Sequence, residues 1–158
     1  MSSASARPES ILPPGWPRPT GYSNGRLAPA GARLLCIAGQ VAWNERERLV
    51  GGDDFVAQFA QALRNVKAVL VAAGGAPEHL LRLTYYVTDK REYATAQAAL
   101  GEKYREILGR VWPAATLVEV KGLLEPGARV EIEATAALPT DAGAGGASSA
   151  ASSPPRAP

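Results

Sequence analysis

The sequence predicts a single α+β domain in which two helices cover one face of a mixed β-sheet. Two segments with helical periodicity, 53–73 and 91–108, each carry one apolar stripe. Short β-branched segments flank them in the order β-β-α-β-α-β-β. Because each helix has a single apolar stripe, each must cover one side of another layer, and two helices on one sheet face is the simplest packing. A chain of 158 residues is of a length that suits one domain.

Both ends of the chain are predicted to be unstructured. Residues 1–19 are rich in Ser and Pro, and residues 139–158 are almost entirely small residues and proline. Neither segment carries enough apolar surface to offset the entropy that ordering would cost. The predicted domain therefore covers residues 20–138.

The first half of the domain is predicted to contain two strands and a helix. A strand near 26–30 is weakened by Pro29 and Gly31, whereas the apolar run Arg33–Gln40 favours a central strand. Asp53-Asp54 suits a helix N-terminus through capping and charge–dipole attraction, and Gly74-Gly75 suits its end. The stripe of this helix consists of Phe55, Phe59, Leu63, Val66 and Leu70.

The second half is predicted to contain three strands and another helix. A β-branched and aromatic strand spans 81–87, and two further strands span 115–121 and 129–138, with a turn at Pro126-Gly127 between them. The helix over 91–108 places on one stripe Tyr93, Ala96, Leu100, Tyr104 and Leu108.

Alternation in the last two strands separates an apolar face from a charged one. In the final strand, Val130, Ile132, Ala134 and Ala136 share the face expected to meet the helices, and in the strand before it the corresponding set is Thr116, Val118 and Val120. The opposite face then carries Glu119, Lys121, Glu131 and Glu133. Such a face is either a solvated sheet surface or a subunit interface that forms the wall of an active site. The pattern leaves both interpretations open.

Composition excludes several function classes. The net charge is only +2 and the arginines are scattered along the sequence, which is not typical of a nucleic-acid interface. Cys36 lies in an apolar run and is predicted to be a buried core thiol, and with His79 as the one histidine a Cys/His metal site is not expected. Without a long apolar stretch or a secretory pattern, no membrane association is expected and the expected compartment is the cytoplasm.

Several short motifs follow one another along the domain. They are Gly39-Gln40, Asn65-Val66-Lys67-Ala68, Tyr86-Val87-Thr88-Asp89, Pro113-Ala114, Val118-Glu119-Val120 and Val130-Glu131-Ile132-Glu133-Ala134. In this order and with this spacing, the motifs make the sequence resemble the Rid family, also called the YjgF or L-PSP endoribonuclease-like family. The resemblance covers Tyr22 to Leu138.

The resemblance implies a chorismate-mutase-like fold and a homotrimer. In that family three sheets pack into a central barrel with the helices outside, and ligand clefts lie between neighbouring subunits. The best-known activity is hydrolysis of reactive imines and enamines, such as 2-aminoacrylate, to a keto acid and ammonia, with no metal or organic cofactor. That reaction requires a cation for the substrate carboxylate and a carboxylate that positions water.

The resemblance carries three functional positions onto this chain. The glutamate that positions water corresponds to Glu131, and the tyrosine near the start of the domain corresponds to Tyr22. The asparagine of the second helix corresponds to Gln97, which keeps an amide. These residues are the expected catalytic carboxylate and two expected substrate contacts.

Three other positions depart from the family pattern. Ala38 stands where the deaminases have serine, Leu117 where they have cysteine, and Ala115 where they have the arginine that grips the carboxylate. Alanine cannot make that contact, which typically contributes about 1.5–3 kcal/mol. With Trp112 and Thr116, these substitutions predict a more apolar substrate pocket.

With these departures, the resemblance implies a divergent, cofactor-free hydrolase of a small imine, enamine or related metabolite, whose substrate lacks the carboxylate or binds it differently. The alternative is a non-catalytic trimer that binds a metabolite or a protein partner, because three polar positions are lost. RNA cleavage, suggested only by the family's older name, has the weakest basis, because the sequence shows no basic run.

Overall fold

A computed structural model describes residues 7–140, which form six strands, two α-helices and one short 3₁₀ helix at Pro77–His79. The strands are β1 (Glu9–Ile11), β2 (Gly25–Leu27), β3 (Arg33–Gln40), β4 (Leu80–Val87), β5 (Ala114–Glu119) and β6 (Val130–Leu138), and the helices are α1 (Phe55–Ala72) and α2 (Lys90–Leu108). The strands and helices of the domain lie within one or two residues of their predicted bounds, apart from the short β2.

The central sheet is mixed and has the strand order β3-β6-β4-β5. Strand β6 runs antiparallel to both β3 and β4, whereas β4 and β5 run parallel. Both helices pack on one face of this sheet and enclose the hydrophobic core. The predicted α+β class, with two helices on one face of a mixed sheet, is confirmed.

Helix α1 begins and ends where the sequence predicts. The Asp54 carboxylate caps it by accepting a hydrogen bond from the Ala57 amide at 3.0 Å, and Gly74, at φ +80°, follows its end. All five members of the predicted stripe are buried.

Helix α2 is held at both ends by polar contacts. Asp89 accepts from the Arg91 amide at 2.8 Å, and Glu119 accepts from the Lys90 amide at 2.8 Å. At the other end, Lys67 of α1 donates to the carbonyl of Ile107 at 2.7 Å. Carboxylates at the N-terminus and an ammonium near the C-terminus both complement the helix dipole.

The predicted division of β6 is confirmed. Val130, Ile132, Ala134 and Ala136 are buried under the helices, and the alternate residues point to the opposite side of the sheet. We call that side the helix-free face. It carries Leu34, Cys36, Arg82, Thr84, Tyr86, Thr116, Val118, Glu131, Glu133 and Thr135.

The predicted facing of β5 is wrong. Ala115 and Leu117 pack against the core, whereas Val118 is 41% exposed on the helix-free face and Glu119 shares the helix side. Strand β5 contains two alternative apolar sets, Ala115 with Leu117 and Thr116 with Val118. The parallel register with β4 pairs Leu117 with Tyr85 and so places the first set on the helix side.

Two other expectations fail. Cys36 is exposed, because β3 is an edge strand whose second face has no covering layer. Residues 9–11, expected to be unstructured, form β1 by pairing antiparallel with β2. Of the two predicted unstructured ends, 1–19 and 139–158, residues 1–6 and 141–158 lie outside the described residues. Within 7–140, no helix has the length and hydropathy needed to span a bilayer.

Candidate functional site

A cavity of about 650 Å³ lies at the edge of the sheet, between β5, α2 and the segment 20–22. Its volume is in the range of small-molecule sites. All six predicted substrate-contacting residues line it, namely Tyr22, Gln97, Trp112, Ala115, Thr116 and Leu117. The fold thus brings together residues that are up to 95 positions apart, from 22 to 117.

The backbone before β2 places Tyr22 at this cavity. The Ser23 amide donates to the Pro113 carbonyl at 3.0 Å, and its hydroxyl donates to the Trp112 carbonyl at 2.5 Å. Ser23 also forms a parallel bridge with Ala114. These contacts attach the segment to the free edge of β5, so that Tyr22 stands beside Trp112.

Aromatic rings form much of the cavity wall. Phe59 stacks on Tyr85 with centroids 5.7 Å apart, and Tyr104 stacks on Trp112 at 5.2 Å with an interplanar angle of 10°. Burial raises the pKa of the Tyr85, Tyr93 and Tyr104 hydroxyls, which therefore stay neutral over the physiological range. The predicted apolar character of the pocket fits this wall, which suits a planar or unsaturated ligand.

One wall of the cavity is polar and belongs to α2. Gln97, Gly101 and Arg105 lie one helical turn apart and all line the cavity. A Cβ at Gly101 would lie 3.2 Å from Nη1 of Arg105, so the guanidinium lies over that glycine. In the part of the chain that the structure describes, Arg105 forms no ion pair. The sequence prediction missed this arginine, although its i+4 spacing from Gly101 and i+8 spacing from Gln97 could have indicated it.

Glu131 does not line this cavity. Its half-buried side chain lies on the helix-free face against Gly39, where a Cβ would come within 1.9 Å of Oε1. Residue 39 must therefore be a glycine if the Glu131 carboxylate is to lie where it does. Because Glu131 lies against Gly39 and the six predicted substrate contacts line the cavity, the two halves of the predicted site lie in different parts of one chain.

A second carboxylate on the helix-free face has partners within the chain. Glu133 accepts hydrogen bonds from the Tyr86 hydroxyl at 3.2 Å and from Arg82 at 3.3 Å. Burial and the neighbouring Glu133 carboxylate raise the pKa of Tyr86. These contacts favour a supporting role for Glu133. Between residues 7 and 140, no cluster of three or more His, Cys, Asp or Glu side chains could hold a metal ion.

A two-helix layer on a mixed sheet, with a cavity of ligand size at the edge of its parallel strand pair, defines the class of this protein as an α+β domain of the YjgF type. The family model described as endoribonuclease L-PSP matches residues 19–138. The chain belongs to this family, the Rid or YjgF family, as its motifs predict.

Relatives and solved structures agree with this assignment. A RutC family protein of Pyrococcus horikoshii is 33% identical over 129 residues, which cover 81% of this chain and 96% of that protein. The Rid family protein YyfB of Yersinia pestis is 37% identical, with a TM-score of 0.73 over 84% of this chain and 99% of that one. Escherichia coli TdcF, solved with bound serine, is 26% identical, with a TM-score of 0.58 over 84% and 93% of the two chains.

Proposed function

We propose that this protein is a divergent Rid-family hydrolase that acts on a small imine, enamine or related unsaturated metabolite in clefts between subunits of a homotrimer. One observation carries the proposal: six predicted ligand contacts line one cavity, whereas Glu131 lies on the helix-free face. A second copy of the chain that brings its Glu131 to this cavity would complete the site.

The surface of the sheet supports self-association. Leu34 is 68% exposed and Val118 is 41% exposed on the helix-free face. Aliphatic side chains on a sheet face gain free energy when another surface removes them from water. Three such sheets packed as a barrel would cover both residues and bring each β5 edge close to a neighbouring sheet.

Arg105 supplies the cation that Ala115 cannot supply. A guanidinium fork can bind two oxygens of a carboxylate, and this one lies on the opposite wall of the cavity from β5. The amide of Gln97 and the hydroxyl of Tyr22 add polar contacts, and the aromatic wall takes an apolar body. The substrate class is therefore an imino or enamino acid with an apolar side chain, held in an orientation set by α2. The bound serine of TdcF supports a ligand of amino-acid size in this family.

The proposed chemistry is addition of water to a carbon–nitrogen double bond. An enamine first takes a proton on carbon and loses one from nitrogen, which gives its imine tautomer. Glu131 of the second copy orients water and accepts its proton as oxygen bonds to the imine carbon, while the π electron pair of the C=N bond moves to nitrogen, which takes a proton from solvent. In the resulting carbinolamine, protonated Glu131 returns its proton to nitrogen, the C–N bond breaks to release ammonia, and the hydroxyl proton passes to solvent to leave a carbonyl group. The net reaction consumes one imine and one water and forms one carbonyl compound and one ammonia, and it needs neither a metal nor an organic cofactor.

The direct test measures ammonia release from freshly generated 2-iminopropanoate, from an imino acid with a larger apolar side chain and from an uncharged imine. We expect turnover above buffer with the larger imino acid, and loss of turnover in Glu131→Gln. Glu125→Gln, on the loop between β5 and β6, is the matched control and should keep wild-type rates. The hydrolase proposal fails if none of the three substrates reacts faster than in buffer.

The same proposal places the enzyme in the cytoplasm, which fractionation of cells that express a tagged chain would check.

A non-catalytic binding trimer is the second candidate. Loss of polar groups at Ala38, Ala115 and Leu117 favours it, because those positions would normally hold or activate the substrate. Two measurements separate the two functions. One is a thermal-shift screen of the protein with keto acids and amides, and the other is the turnover assay with the same three imines. Stabilisation by a ligand without turnover of any imine supports binding alone, whereas turnover with Glu131 dependence excludes it.

A further inference from the structure

A second cavity, of about 470 Å³, lies between the N-terminal segment and the loop before β5. Four arginines line it, Arg7, Arg18, Arg26 and Arg110, against one carboxylate, Glu78. These residues are far apart in sequence, so the arginines that look scattered along the chain form a local basic cluster in the fold. The near-neutral net charge conceals this cluster.

Three of the arginines that line this cavity are not neutralised by carboxylates of the described residues. Within 7–140, neither Arg18, Arg26 nor Arg110 forms an ion pair. Guanidinium groups that share a cavity repel one another, and an anion among them relieves that repulsion.

The side chain of Arg26 gives a second, independent indication that this cavity binds an anion. Its Nη2 donates to the Glu78 carbonyl at 2.9 Å and its Nη1 donates to the Ser10 hydroxyl at 3.2 Å. These two hydrogen bonds fix the position of the side chain. Its Nε is the one buried side-chain polar atom of residues 7–140 that has no hydrogen-bond partner. Burial also lowers the pKa of Arg26. A buried donor without an acceptor is unfavourable, and an oxygen of a bound anion would satisfy it.

We propose that this cavity binds the phosphate group of a small metabolite. Arg18, Arg26 and Arg110, which form no ion pair within residues 7–140, favour a dianion over a carboxylate monoanion, and the arginine fork matches the tetrahedral oxygens of phosphate. Ser10, Ser23 and Asn24 also line the cavity and provide neutral hydrogen-bonding groups. The site is separate from the imine cavity, although Tyr22 and Trp112 line both. This proposal does not depend on the hydrolase function.

The test is titration of the full-length protein with inorganic phosphate at constant ionic strength, followed by calorimetry and by the ³¹P chemical shift. We expect saturable binding in the millimolar range or tighter. Arg110→Gln, and separately Arg18→Gln, should weaken binding about tenfold or more, since each removes a charge-assisted contact. Arg46→Gln, on an exposed loop away from the cavity, should bind phosphate as the wild type does. Circular dichroism spectra confirm that each variant is folded.

Titrations with glucose phosphate and with acetate test whether the phosphate belongs to a metabolite and whether the site distinguishes a dianion from a monoanion. Glucose phosphate that binds more tightly than inorganic phosphate supports a metabolite whose body occupies the cavity. The proposal is overturned if no saturable phosphate binding occurs, if acetate binds as tightly as phosphate, or if Arg46→Gln weakens binding as much as Arg110→Gln. It is also overturned if a single-stranded RNA binds while phosphate and glucose phosphate do not.

Discussion

At the residue scale, the proposed function depends on the position of one positive charge. Ala115 of β5 carries no charge, and Arg105 presents a guanidinium from α2 on another wall of the same cavity. The carboxylate of a substrate would therefore point toward the helix. The small side chain of Ala115 leaves space beside the apolar Leu117 for an apolar group, so we expect the proposed enzyme to favour larger imino acids.

Replacing Arg105 tests this relocated cation. Arg105→Gln should raise KM for an apolar imino acid about 10- to 100-fold, because it removes a charge-assisted contact. KM for an uncharged imine should change little, since that substrate has no carboxylate to lose. Steady-state kinetics with both substrates give the measurement, and Arg91→Gln on the same helix is the control. An equal rise in KM for both substrates would contradict the assignment.

Gly39 tests the position of Glu131. A Cβ at residue 39 would lie 1.9 Å from Oε1, so Gly39→Ala must displace the carboxylate. We expect kcat to fall by on the order of 10²-fold, because a displacement of about 1 Å in a reacting group can cost that much. Gly122→Ala is the matched control, because nothing lies within 4 Å of its Cβ and its φ is not positive. Unchanged kcat in Gly39→Ala would show that the observed position of Glu131 is not required for catalysis.

At the element scale, one buried amide joins α1 to two loops. Gln58 is fully buried, and its Nε2 donates to the carbonyls of Gly52 at 2.7 Å and Gly127 at 2.9 Å. Its Oε1 accepts from the Arg129 amide at 2.9 Å. The start of β6, and with it the approach to Glu131, is thus attached to the first helix.

Loss of this amide should destabilise the fold. Gln58→Met keeps the length of the side chain but leaves three backbone groups without partners, and each buried unsatisfied group costs about 1–3 kcal/mol. The free energy of unfolding should therefore fall by about 3 kcal/mol or more, measured by urea denaturation. Gln61→Met, on the same helix and partly exposed, should change it by less than about 1 kcal/mol. Equal effects of the two changes would be inconsistent with this role for Gln58.

The apolar stripes of the helices and the alternation of β6 can be predicted from the sequence, because each pattern repeats over enough residues to be unambiguous. Strand β5 is not, since Ala115/Leu117 and Thr116/Val118 are both acceptable apolar sets and only the pairing with β4 decides. Strand β1 has three residues and no period, and it exists through its pairing with β2. The family motifs anticipated six of the cavity residues, whereas the arginine cluster depends on chain positions that meet only in the fold.

At the scale of the whole molecule, the separation of Glu131 from the cavity makes assembly part of the proposed chemistry. Analytical ultracentrifugation should give a particle of three 16.5 kDa chains. Val118→Glu should shift the distribution toward monomer and abolish imine turnover together, because it places a charge in the proposed barrel interior. Glu125→Gln, which also changes the charge by one unit but lies on the loop between β5 and β6, should remain trimeric. Full turnover by a monomeric Val118→Glu variant would contradict the requirement for assembly.

Complementation between two inactive variants tests the shared site most directly. Ala115→Trp should block the cavity but leave Glu131 intact, and Glu131→Gln should leave the cavity intact. Each variant alone should lack turnover. After the two are unfolded together and refolded as mixed trimers, clefts that combine one intact cavity with one intact Glu131 should restore roughly one quarter of wild-type turnover by random mixing around a closed ring. Turnover that stays at the level of the separate variants, in trimers shown to be mixed, would contradict a site built from two copies of the chain.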